Sequence, residues 1–147
     1  MLYYKYSFVE HHATFLHFDF RIDVGGYALS YAMDKGPSMK PGLSMLAIEM
    51  PPHSVKSLFS QTTIPEGFYG AGQRKVWDKG LLKTDVNILT ALKSGCSFFS
   101  LNGSILQGKF RFEILPDRAR EWELTKLKDA FADPNFVLAP VLRDRQN

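Results

Sequence analysis

The stretch Phe15-Leu16-His17-Phe18-Asp19-Phe20-Arg21-Ile22-Asp23 decides the fold class of this chain. Apolar and polar side chains alternate along it without a break, which is the period of a strand and not of a helix. Gly25-Gly26 marks a tight turn and Tyr27 to Met33 resumes the pattern, so the two segments read as a β-hairpin. Further out, Ser44 to Met50 is a strand stopped by Pro51-Pro52, and Gln73 to Trp77 is a strand closed by a turn at Asp78-Lys79-Gly80. Cys96 to Leu101 and Ile105 to Leu115 flank Asn102-Gly103, a strong hairpin signal, and Trp122 to Leu127 gives one more strand. Thr84 to Lys93 breaks the pattern. Val86, Leu89 and Leu92 recur at helical spacing, Thr84 or Asp85 can cap the start, and Gly95 sits where a C-terminal cap belongs. A short helical turn and a tail complete the chain. The sum is mainly β: a small closed or nearly closed β-barrel of about seven or eight strands with one or two short helices.

The composition fits that picture. At 147 residues, with no repeat and no linker-like segment, the chain reads as a single domain, 1–147, able to bury its own core. Twelve Phe bring the aromatic share to 14%, which favours half-buried pleated surfaces. The net charge of +3 suits a phosphate-bearing partner without requiring one. Cys96 is alone, so no internal disulfide can form, as expected in a reducing cytosol. No run approaches the roughly 18 apolar residues of a membrane span, and the N-terminus lacks an apolar leader core. The expected setting is cytoplasmic, away from membranes.

In the deciding strand, His17, Asp19 and Arg21 point to one face, while Leu16, Phe18, Phe20 and Ile22 point to the other. Residues two apart are about 6.7 Å apart at the backbone, so an imidazole and a carboxylate there can lean onto one ion. His11 or His12, arriving through the preceding turn, would supply a third ligand. Two His and a carboxylate suit Mn, Fe or Zn with positions left open for substrate. The plainer reading makes this face the solvent side of an amphipathic strand. Against it, three of the four His fall within residues 11–17. Lys35, ahead of the Gly36-Pro37-Ser38 turn, is presented rather than packed, and read alone it is an ordinary surface lysine. His53 stands alone after Pro51-Pro52. Gly67-Phe68-Tyr69-Gly70-Ala71-Gly72 lacks the ending of a P-loop and reads as a bulge and corner. There is no Gly-x-Ser-x-Gly elbow, and Cys96 has no neighbouring His, so nucleophilic catalysis finds little support.

Taken in order, these segments resemble the 3′-phosphoesterase domain of bacterial and archaeal end-joining DNA ligases, the ligase D family, in a stand-alone form. The matching pieces are His11 to Arg21, Lys35-Gly36-Pro37-Ser38, Leu46-Ala47-Ile48 leading to His53, and Ile64 to Gly72 with Val76-Trp77-Asp78. Leu101-Asn102-Gly103, Leu106 to Phe110 and Trp122 complete the series, so the resemblance covers roughly residues 7 to 133. It implies a small β-barrel that binds a divalent metal, typically Mn²⁺. It also implies a phosphoesterase, a 3′-phosphatase and 3′-ribonuclease, that trims the 3′ ends of DNA or RNA primer strands during non-homologous end joining. Position by position, His11, His17 and Asp19 match the metal ligands, and Arg21, Lys35 and His53 match the groups that hold the phosphate. The implied partners are nucleic-acid 3′ ends, with a DNA ligase, a polymerase or a Ku-type end-joining protein beside them.

Two positions depart from the family pattern: Met45 stands where the family usually has an arginine, and Pro51 where it has a glutamate. The second hypothesis is therefore a 3′-end-binding module whose catalysis is impaired. A third, from another class, reads His17, Asp19 and the distant His53 as the facial triad of a non-haem Fe(II) oxygenase.

Overall fold

A computed structural model describes residues 1–61, 63–68 and 72–141 of the chain. Among these residues the strands are β1 Leu2–His12, β2 Leu16–Asp23, β3 Ala28–Met33, β4 Ser44–His53, β5 Thr63–Ile64, β6 Gly72–Thr84, β7 Cys96–Gly103, β8 Gln107–Ile114 and β9 Glu121–Lys126. A 3₁₀ turn spans Val55–Phe59, and one short helix, α1, spans Ile88–Lys93. The sheet runs β1-β2-β3-β4-β9-β8-β7-β6, with β5 hung on β6, and β6 pairs back onto β1. Eight antiparallel strands thus close into a barrel. None of the described helices is long and apolar enough to cross a membrane.

Closure dictates where a site can sit. An eight-stranded barrel has an interior just wide enough to be filled by side chains, and here aromatics fill it. Phe8 stacks on Phe20 at 4.5 Å and Phe112 on Trp122 at 5.0 Å, with Tyr31 edge-on to Phe112 at 4.8 Å. Each such ring contributes about 1.5–3 kcal/mol by leaving water. The interior is therefore a core with no room for substrate, and chemistry must happen on the outer face.

Several boundaries differ from the expectation, each for a local reason. Residues 2–12 form the strand that closes the barrel, though their pattern alone did not mark them as one. Tyr6, Phe8 and Glu10 are buried on one side and Ser7, Val9 and His11 on the other, so no polar face betrays the period. β4 does not stop at the prolines but runs on to His53. Its register against β3 shifts between the Ser30–Met50 and Ala28–His53 pairs, an irregularity at which Pro51-Pro52 need donate no ladder bond. Asp78-Lys79-Gly80 is not a turn: β6 continues to Thr84, bulged at Trp77, which has no partner between the Val9–Val76 and Phe8–Asp78 pairs. The buried Asp78 carboxylate instead accepts bonds from the Ser104, Ile105 and Leu106 amides (2.9, 3.0 and 3.0 Å) and the Tyr6 hydroxyl (3.0 Å), organising the turn between β7 and β8. That turn lies beyond Asn102-Gly103, because Asn102 pairs with Gln107. Gly103 is required by closeness, since a Cβ there would meet Tyr6 Oη at 2.2 Å.

The helix is shorter than expected. Asn87 caps it, accepting from the Leu89 and Thr90 amides, while Thr84 ends β6 and donates to the Phe98 carbonyl. Gly95 takes the left-handed conformation (φ 92°) after the last turn, as anticipated. After β9 the described chain forms turns and no helix, and it is not a loose tail. Phe136 and Leu138 pack against the core, and Trp77 Nε1 donates to the Ala139 carbonyl at 2.9 Å. Of the Gly67–Gly72 segment, Tyr69, Gly70 and Ala71 lie outside the described residues.

Candidate functional site

The β1–β2 hairpin sets His11 directly opposite His17, and antiparallel partners share a face. Asp19 and Arg21 follow His17 at intervals of two and leave β2 on the same side. His11 Nδ1 lies 3.2 Å from His17 Nε2 and 4.0 Å from Asp19 Oδ2, and His17 Nε2 lies 3.3 Å from Asp19 Oδ1. All three residues offer ligand atoms within 4.8 Å of one another. His12 leaves the opposite face, where its Nε2 meets Glu10 Oε2 at 2.7 Å. Of the two candidates for a third ligand, His11 joins this group and His12 does not. The group does not include His53, so a triad built on that residue is not formed.

This face is not the solvent side of the strand. Asp19 is 7% exposed and Arg21 only 2%, roofed by the 3₁₀ turn. Arg21 Nη1 donates to the Ser57 carbonyl at 2.6 Å, and Ser7 Oγ donates to the Leu58 carbonyl. Arg21 Nη2 donates to Asp19 Oδ2 at 3.3 Å. The strand has two buried faces, one apolar and one charged.

The charges are strongly coupled. Hydrogen bonding to Asp19 raises the pKa of His17 above the ordinary imidazole value against the opposing effect of burial. The Asp19 charge, the Phe15 carbonyl and the more distant Asp34 add to the rise. Burial alone would raise the Asp19 carboxyl, but the bond and charge from His17, with Arg21 and His11, hold it below the usual carboxylate range. A cluster that draws a proton onto an imidazole in this way is one where a cation is welcome. Two imidazole nitrogens and an ionised carboxylate oxygen, fixed on one ladder, are a donor set fit for a divalent transition metal.

His53 ends β4 within electrostatic reach of the group. Burial lowers its pKa, as do the positive charges of Arg21 and Arg74, while Asp19 raises it. Among the described residues, Lys35 lies outside this group and outside the bonds that join its members. It is exposed just after β3 and, with Asp34 and Met45, lines a surface cavity of about 490 Å³. Met45 packs against the core and Pro51 is exposed, so neither adds a charge to the site.

Arg74 was not legible as a site residue. It stands on β6 opposite His11, which puts it on the charged face. Its only signal in the sequence is a basic residue within the strand after the glycine cluster, an unremarkable feature until the β1–β6 pairing is known.

The chain is similar to three multifunctional non-homologous end joining proteins named LigD. It is 33% identical to that of Pseudomonas aeruginosa over 87% of this chain and 16% of the relative. The protein of Mycolicibacterium smegmatis is 28% identical over 85% of this chain and 17% of its own length, and that of Mycobacterium tuberculosis 29% over 90% and 18%. The chain therefore spans less than a fifth of each of these relatives. Residues 9–113, which carry the metal-candidate group, Arg21, His53 and Arg74, match the model of the DNA ligase D 3′-phosphoesterase domain, and the chain belongs to that family.

Proposed function

We propose that the chain is a divalent-metal-dependent phosphoesterase that processes the 3′ ends of primer strands, removing a terminal ribonucleotide and then the 3′-phosphate left behind. One observation carries the reading: a convergent two-His, one-carboxylate donor set shares a buried face with a guanidinium two residues away. His11, His17 and Asp19 would hold the metal, with Mn²⁺ the expected ion. When bound, such an ion polarises a phosphate oxygen and lowers the pKa of a coordinated water.

The protein's own residues supply the rest. Phosphoryl transfer needs positioning and charge neutralisation more than a covalent helper. Arg21, held by Ser57 and Asp19, offers a fixed planar fork to phosphate oxygens. His53 is biased toward its neutral form by burial and by Arg21 and Arg74. An incoming phosphate acts in the opposite sense and favours the protonated imidazole, the form able to pass a proton to the departing ribose oxygen. Lys35, in its exposed position, would meet the phosphate backbone of the strand. The partners on this reading are primer-template ends, and an end-joining ligase or polymerase acting on the same break.

A second reading is favoured by Met45 and Pro51: a module that binds 3′-phosphate ends without turning them over. One oligonucleotide decides between them. With a 3′-phosphate primer-template and Mn²⁺, the enzyme releases inorganic phosphate, and chelator abolishes release. Tight binding without release under any divalent metal would establish the module instead.

A further inference from the structure

Arg21 and Arg74 share an oddity. In both, the guanidinium Nε is shielded from solvent and has no hydrogen-bond partner among the described residues. Buried donors are nearly always satisfied, and leaving one unsatisfied is costly. Among the described residues no carboxylate lies within ion-pair distance of Arg74, whereas Arg21 has Asp19 at 3.3 Å. Both leave the sheet on the same side, Arg21 two residues beyond Asp19 on β2 and Arg74 opposite His11 in the β1–β6 ladder. Two like charges with orphaned donors on one face, Arg21 buried and Arg74 half-buried, form an arrangement that an anion between them would stabilise.

We infer that Arg74 is a substrate-binding residue of this site, a second guanidinium that grips a terminal phosphomonoester beside Arg21. The inference rests on the phosphoesterase reading and adds a charge class to it. A phosphomonoester carries about −1.5 to −2 charge at pH 7, whereas an internal diester carries a single negative charge. Arg21 is partly neutralised by Asp19, and β4 supplies no cation at Met45, which packs against the core. The uncompensated charge of Arg74 is therefore the element that favours a doubly charged end over the backbone leading to it. Its place in the β1–β6 ladder, opposite His11, sets it beside the metal-candidate group rather than at the rim.

The test is binding in chelator, by fluorescence anisotropy, of oligonucleotides ending in 3′-phosphate or 3′-hydroxyl, with inorganic phosphate as competitor. The parent protein should prefer the 3′-phosphate end. Arg74→Ala should cut that preference by about tenfold or more, and the salt slope for the 3′-phosphate end should fall by about one. Arg74→Lys should restore part of the loss, because a point charge replaces the charge but not the fork. Arg74→Gln repeats the comparison if the alanine variant does not fold. An Arg74→Ala protein that keeps the full 3′-phosphate preference, or that weakens on both ends equally, overturns the assignment while leaving the phosphoesterase reading in place. If the parent shows no end preference but Arg74→Ala abolishes competition by inorganic phosphate, the anion grip stands and the 3′-end reading falls.

Discussion

Replacing Arg21 separates holding the metal from holding the substrate. The side chain is 2% exposed and donates at 2.6 Å to the Ser57 carbonyl and at 3.3 Å to Asp19. Arg21→Ala leaves a part-buried carbonyl without its donor and a buried carboxylate short of one counter-charge, a stability loss of about 3–5 kcal/mol. Separately, it removes the fork that neutralises phosphate in the transition state, worth about 2–4 kcal/mol by analogy with lost oxyanion donors, or roughly 30- to 1000-fold in rate. Metal binding should survive, since a guanidinium has no lone pair to offer a cation. The assay is calorimetric titration with Mn²⁺ beside phosphate release, both well below the melting temperature of the variant. Arg21→Lys should fold better and recover only part of the rate. An Arg21→Ala protein with near-parental turnover, or one that no longer binds Mn²⁺ while still folded, would refute the division of labour along this strand.

Three further outcomes follow from the same geometry. His17→Ala and Asp19→Ala should each abolish Mn²⁺ binding in calorimetry and all metal-dependent turnover, with the fold intact by circular dichroism. Asp78→Ala should lower stability by about 3–5 kcal/mol, read as a reduced urea midpoint at unchanged slope, because four donors including the Leu106 amide lose one acceptor. The fully buried Lys126 donates to Asp129 at 2.7 Å and to the carbonyls of Lys109 and Leu127. Burial works against ionisation of Asp129, but its bonds to Lys126 and to the Lys109 and Phe131 amides hold its pKa below the ordinary carboxylate value. A lowered folded pKa stabilises above the unfolded value, about 4, and that stability is lost as pH falls through the folded one. Asp129→Asn should therefore flatten the acid limb of the stability profile and cost about 3 kcal/mol at neutral pH.

The sequence was most legible where the two faces of a strand differ in chemistry. β2 is such a strand, apolar on one face and charged on the other, and the spacing His17, Asp19, Arg21 placed three candidate site residues on one face before any partner strand was known. It was least legible where each face mixes apolar and polar side chains. In β1, Tyr6 and Phe8 share a face with Glu10, and Val9 shares one with Ser7 and His11, so no alternation shows, although that strand closes the barrel and delivers His11. Turn chemistry misled at Asp78-Lys79-Gly80, where Asp78 is there to accept amides from another turn and Gly80 because a Cβ would meet the Asn102 carbonyl oxygen at 2.1 Å. Asn102-Gly103 marked the β7–β8 hairpin but not its turn, and Gly103 is there because a Cβ would strike the Tyr6 and Asp78 side chains. Arg74 shows the limit of spacing arguments. It lies 63 positions beyond its ladder partner His11 in the sequence, and only the β1–β6 register brings the two together.

The metal and phosphate sites are tested most directly by a crystal of the protein soaked with Mn²⁺ and inorganic phosphate, with anomalous scattering measured at the manganese edge. One strong anomalous peak is expected, bounded by His11 Nδ1, His17 Nε2 and the Asp19 carboxylate, with phosphate density against the Arg21 guanidinium. Manganese seated away from these three side chains, or phosphate bound with Arg21 unengaged, would overturn the assignment of this face.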